Sequence, residues 1–236
     1  MTARPIVLQR PIVALCEGQH DAAFLHAIAL RIGRPDAFDL PFFVMRDGRW
    51  QRRDGFPHGN GGVAGQLKAL ALQLRASPTD AARVRGILLL RDCGENSDTI
   101  VRETANACRA AQLPEPTAAG EWHGPADGLR TALLLLPDAQ GRGSLETLCL
   151  DHLRPRHPAQ AACLDAYFAC IGPPDPKPTE ENRKKAMLAC LIAAIAPTNP
   201  TQTLGGAFHS NRHPPLIDVT DPLFNPFADA LAALLL

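Results

Sequence analysis

Apolar residues along this chain come in short blocks whose spacing changes from strand-like to helix-like and back. Pro11–Cys16 (PIVALC) is a brief apolar run that stops at Glu17-Gly18 and reads as a buried strand. Asp21–Ile32 follows with apolar positions at helical spacing, and Gly33 and Pro35 end it. Leu40–Met45 reads as a second strand, followed by Arg46–Gly62, a polar loop rich in Gly and Arg. Val63–Ala76 reads as a helix with Leu67, Leu70, Leu72 and Leu74 on or near one face. Val84–Leu90 is the clearest buried strand and ends at Arg91-Asp92. Ser97 is placed to cap a helix from about Asp98 to Ala111. Gly120–His123 is a short strand candidate, and Leu129–Leu136 is another buried strand, stopped by Pro137.

Strands alternating with helices predict an α/β fold with a mainly parallel sheet flanked by helices. After Ser144 only helical patterns remain: Ser144–Leu153, Ala159–Ile171, Glu180–Ala196 and Pro222–Leu236. Thr179 caps the third, with Glu180 and Glu181 in its first turn, where the helix dipole favours acids. The expected organisation is an α/β domain over residues 1–140 and a helical extension over 141–236 packed on it.

Composition narrows the function classes. Lys plus Arg total 24 and Asp plus Glu total 24, so no global basic charge draws the chain to nucleic acid; such a surface has to be local or assisted by cations. The seven Cys are odd in number and lack CxxC spacing, which argues against a disulfide framework or a zinc ribbon. No signal peptide is evident, and no apolar run reaches the roughly 18 residues of a membrane span. The expectation is a cytoplasmic chain without membrane contact.

In open parallel sheets ligands bind beyond the carboxyl ends of the strands. There the sequence places Glu17, His20 and Asp21 after the first strand, Asp92, Glu95 and Asp98 after Val84–Leu90, and Asp138 and Glu146 after Leu129–Leu136. Carboxylates from separate segments suit a hard cation such as Mg²⁺, which a phosphodiester reaction uses. Acids also follow strands simply because they cap helices, so spacing alone leaves both readings open.

The stretch Cys16-Glu17-Gly18-Gln19-His20-Asp21-Ala22-Ala23-Phe24, after an apolar strand, resembles the opening of a Toprim domain. Gly86–Asn96 (GILLLRDCGEN) stands where that family carries Asp-x-Asp. Gly143–Leu150 (GSLETLCL) is similar to an element of small stand-alone bacterial Toprim-like proteins related to OLD-type nucleases, and Asn182–Ala194 resembles the helix that follows it. The likeness covers Ile12 to Leu153 well and the tail loosely. It implies a Mg²⁺ (or Mn²⁺) dependent nuclease or nucleic-acid-processing enzyme. Glu17 would be the general acid/base, Asp92 the first metal ligand, and Glu95, Asp98 or Asp21 further ligands. The chain departs from the pattern at Gly94, which occupies the second Asp position. That departure leaves open a binding or regulatory module acting on nucleic acid, a nucleotide or a protein partner.

Arg46, Arg49, Arg52, Arg53 and His58, with Trp50, lie in the Gly-rich loop and are candidates for gripping a phosphate backbone; a solvated loop is the alternative. The loop lacks the ending of a P-loop. Self-association stays open.

Overall fold

The computed structural model describes residues 6–46, 49–53, 62–137, 143–171, 179–196, 202–208 and 215–236. Strand β1 (Ile12–Cys16) leads into α1 (Gln19–Arg31). A hairpin of β2 (Phe43–Arg46) and β3 (Arg49–Arg52) precedes α2 (Gly62–Ala76) and the short α3 (Pro78–Arg83). Then come β4 (Gly86–Asp92), α4 (Ser97–Ala111), β5 (Trp122–His123) and β6 (Arg130–Leu136). The rest is helical: α5 (Leu145–Leu153), α6 (Pro158–Ile171), α7 (Glu180–Ile195), α8 (Leu204–Phe208), a 3-10 turn (Pro222–Phe224) and α9 (Asn225–Leu234).

The main sheet has the order β1-β4-β6-β5, with β1, β4 and β6 parallel and β5 antiparallel at the edge. The α/β expectation therefore holds. Ile87, Leu88, Leu89 and Leu90 of the central β4 are all fully buried. That is the uninterrupted apolar run expected of a strand covered on both faces.

Two expectations need correcting. The Leu40–Met45 strand does not join the main sheet; β2 pairs antiparallel with β3 in a separate two-stranded sheet. The polar loop from Arg46 therefore contains a strand, because Trp50 alternates with polar neighbours and packs its ring 5.2 Å from that of His26 on α1. Helix α4 is capped by Asn96, not Ser97: the Asn96 Oδ1 accepts the Thr99 backbone N–H at 3.1 Å.

The helical part shares its core with the sheet. The Phe24 ring of α1 sits 5.0 Å from Phe227, 5.5 Å from Phe208 and 6.0 Å from Phe224. The Trp122 indole N–H donates to the Leu234 carbonyl at 2.9 Å. A Cβ on Gly86 would lie 2.6 Å from that indole ring, so the glycine is what lets the ring cross β4. Among the described residues, no helix is long and apolar enough to cross a membrane.

Candidate functional site

The carboxyl ends of β1 and β4 open into a cleft of about 1090 Å³. Hydrogen bonds to backbone groups set its shape. The Cys16 carbonyl accepts from the buried Gln66 Nε2 at 2.7 Å, and the Glu17 carbonyl from Arg52 Nη2 at 2.7 Å. These two bonds fix the turn that leaves β1. At the next strand, Gly94 and Gly143 exchange two backbone hydrogen bonds, of 2.9 and 2.7 Å. Both glycines have positive φ, 60° and 127°, where a side chain is strained; a Cβ on Gly143 would also strike Thr147 Oγ1 at 2.6 Å. This bridge brings the start of α5 up to β4, so that Asp92 Oδ1 accepts the Leu145 N–H at 3.0 Å.

Glu17, His20, Asp21, Asp92, Glu146 and Arg52 all line the cleft. Asp21 Oδ2 accepts the Gly18 N–H at 2.8 Å, closing the first turn of α1. Glu146 stands in the first turn of α5 and is only 9% exposed. Glu17 is held by Arg91, Nε to Oε1 at 2.8 Å, and Arg91 also donates to Thr104 Oγ1 at 3.2 Å.

The fields of these groups are coupled. Burial pushes the Asp92 carboxyl up to about 7, with Glu146, Glu17 and Glu181 adding to the rise against the Leu145 N–H. Asp21 is raised well above the usual carboxylate range, first by burial, then by Asp92. Burial holds His20 below the usual imidazole value, so the ring is neutral at neutral pH. Burial raises the thiols of Cys16 and Cys149, aided by the same carboxylates, which keeps them protonated and poor nucleophiles.

The other predicted residues fall elsewhere. Glu95 and Asp98 are exposed and do not line the cleft; Asp98 sits in the first turn of α4, where the helix dipole accounts for it. Arg46 and Arg49 are exposed cross-strand partners on the hairpin. Arg53 donates to the Phe43 carbonyl at 3.2 Å. His58 and Asp138 lie outside the described residues.

The structure adds Lys185 of α7. It lines the cleft and hydrogen-bonds Glu181. Burial works against its charge, yet that bond and the fields of Glu146, Glu181 and Asp92 outweigh it and raise its pKa. Its position four residues after Glu181 was a legible signal for that ion pair.

A family profile matches residues 11–236, which include every residue of the cleft. The chain belongs to the DUF3226 family, described as a protein of unknown function. No curated protein and no solved structure matches it. The cleft of this DUF3226 chain is thus the ground for a functional reading. Its lining carries five acids (Glu17, Asp21, Asp92, Glu103, Glu146) against three bases (Arg52, Arg91, Lys185).

Proposed function

We propose that this chain is a Toprim-like phosphodiester enzyme that acts on nucleic acid with Mg²⁺ or Mn²⁺. The observation that supports it is the meeting of Glu17, Asp21, Asp92 and Glu146, from three separated segments, in one cleft at the carboxyl edge of a parallel sheet. An excess of acids in such a cleft repels a phosphodiester unless cations enter with it.

The donors suit a hard cation in kind, being carboxylate oxygens. Burial first, and then the neighbouring carboxylates, raise Asp21 and Asp92. Among the described residues, however, no group of three or more His, Cys, Asp or Glu is set to hold a metal ion. A small cation that keeps most of its water needs only one or two carboxylates. Asp92 and Asp21 would hold it, each through the oxygen not engaged with a backbone N–H. A bound cation supplies Lewis acidity at a phosphodiester oxygen. Glu17, oriented by Arg91, would move the proton, and Arg52 and Lys185 would neutralise phosphate oxygens.

A second reading is favoured by one observation. The second Asp position of the Toprim pattern is Gly94, a backbone bridge to Gly143, and neither Glu95 nor Asp98 reaches the cleft to replace it. On that reading the fold binds nucleic acid, a nucleotide or a protein partner without cutting.

Thermal melting in EDTA, Mg²⁺ and Mn²⁺ separates the two. The enzyme reading expects a metal-dependent rise in Tm that Asp92→Asn abolishes, and metal-dependent cleavage of nucleic acid. Glu17→Gln is then expected to lower the cleavage rate by about 10²-fold or more. Its stability should change by no more than about 1 kcal/mol, because the Glu17–Arg91 pair is partly solvated. No rise in Tm with either ion would favour the second reading, and equal cutting by Glu17→Gln would remove Glu17 from its role.

A further inference from the structure

Helix α4 buries Thr104, Cys108 and Ala111, which share one face at helical spacing. Cys108 and Ala111 bring only apolar bulk to that face, whereas Thr104, 1% exposed, brings a hydroxyl where a valine would have the same shape. A hydroxyl taken out of water has to be hydrogen-bonded. This one is bonded twice. Its O–H donates to the Ile100 carbonyl at 2.7 Å, and its oxygen accepts from Arg91 Nη1 at 3.2 Å. The first bond fixes the hydroxyl proton and leaves the lone pairs for the guanidinium.

Arg91 stands one step past the last rung between β1 and β4, Cys16 with Leu90, and so beside Glu17. Its Nε donates to Glu17 Oε1 at 2.8 Å. A second carboxylate competes for it: Glu103 Oε2 lies 3.6 Å from Nη1. The Glu17 side chain is 40% exposed and that of Glu103 54%, so packing alone fixes neither acid. A guanidinium is a rigid planar fork, and holding one arm sets the direction of the others. Thr104 holds Nη1 without adding a charge, which leaves Nε for Glu17. Without the hydroxyl, Glu103 is the remaining partner of Nη1 among the described residues, and turning towards it takes Nε away from Glu17.

We propose that Thr104 is a positioning residue, which pins Arg91 and through it holds the Glu17 carboxylate in place. Its effect on the reaction rests on the reading that Glu17 moves the proton in phosphodiester cleavage; the pinning itself does not.

The test compares Thr104→Val, which keeps the shape and removes the hydroxyl, with Thr104→Ser, which keeps the hydroxyl. In the full chain carrying isotope-labelled arginine, the Arg91 Nε–H resonance is the one missing from Arg91→Lys. Its proton should exchange with water several-fold faster in Thr104→Val and at the wild-type rate in Thr104→Ser. Thr104→Val should also lower kcat for cleavage in Mg²⁺ by about tenfold or more, with KM and the Mg²⁺ midpoint of the Tm shift unchanged, and Thr104→Ser should restore kcat. Unchanged exchange in Thr104→Val, or equally fast exchange in both variants, would overturn the pinning. Faster exchange with an undiminished kcat would overturn the positioning role. If the wild type cuts nothing, the enzyme reading falls, and the exchange rates still decide the pinning.

Discussion

Asp92 joins the two halves of the site, because it caps α5 through Leu145 and also faces the cleft. Its folded pKa, about 7, lies above the ordinary carboxylate value of 3.8. The folded chain therefore keeps a proton that the unfolded chain releases. The metal-free fold bears no penalty below about pH 4 and loses stability as the pH rises from there to about 7. Asp92→Asn keeps an oxygen to accept the Leu145 N–H but cannot ionise. Its Tm in EDTA should match the wild type near pH 4 and exceed it at pH 8; a parallel pair of pH profiles would deny the shift. The slope that remains in the variant includes the contribution of Asp21, which is raised in the same direction. Gly94 offers the converse experiment. Nothing lies within 4 Å of a Cβ built there, and its φ of 60° is one that Asp tolerates better than most residues. Gly94→Asp should lower stability by about 1 kcal/mol, and the Mg²⁺ midpoint of the Tm shift should fall several-fold. An unchanged midpoint would show that this position does not face the ion.

At the scale of elements, the parallel strands and long helices were legible because their apolar spacing is regular. The β2–β3 hairpin was not. Arg49–Arg52 has one apolar residue in four, and its reason to be a strand is the contact of Trp50 with His26, far away in the sequence. The short α8 (LGGAF) carries two glycines and owes its helical form to tertiary packing against α1. In the site, Glu17, Asp21, Asp92 and Glu146 were readable from their places after strands. Glu95 and Asp98 shared that signal, yet both are exposed, beyond the Gly94–Gly143 bridge. The Lys185–Glu181 pair was legible from its spacing, but its place in the cleft was not, because α7 lies far beyond the last strand in the sequence. The crossing of Trp122 over Gly86 makes a separate prediction. Gly86→Ala drives a methyl group into a rigid ring and should destabilise the fold by about 1–3 kcal/mol, read by urea unfolding. The metal midpoint should not change, since neither residue lines the cleft.

Over the whole molecule the formal charge is zero, so no long-range field gathers nucleic acid to the surface. On the proposed function, attraction within the cleft would come from Arg52, Arg91 and Lys185, together with any cation bound by the acids. Single-strand binding changes with log salt by about −0.7 for each neutralised phosphate, which for three bases gives a slope no steeper than about −2. Titrations between low and physiological salt would measure it, and a markedly steeper slope would reveal a basic surface outside the cleft. The aromatic cluster around Phe24 has a kinetic consequence. Its partners Phe208, Phe224 and Phe227 lie more than 180 residues further along the chain. Contacts at that separation form late, because so much loop entropy has to be given up first. Until they form, α1 presents a bare phenylalanine next to the turn that carries Glu17 and Asp21. Refolding from denaturant should therefore pass through a sticky species, and its yield should fall as protein concentration rises.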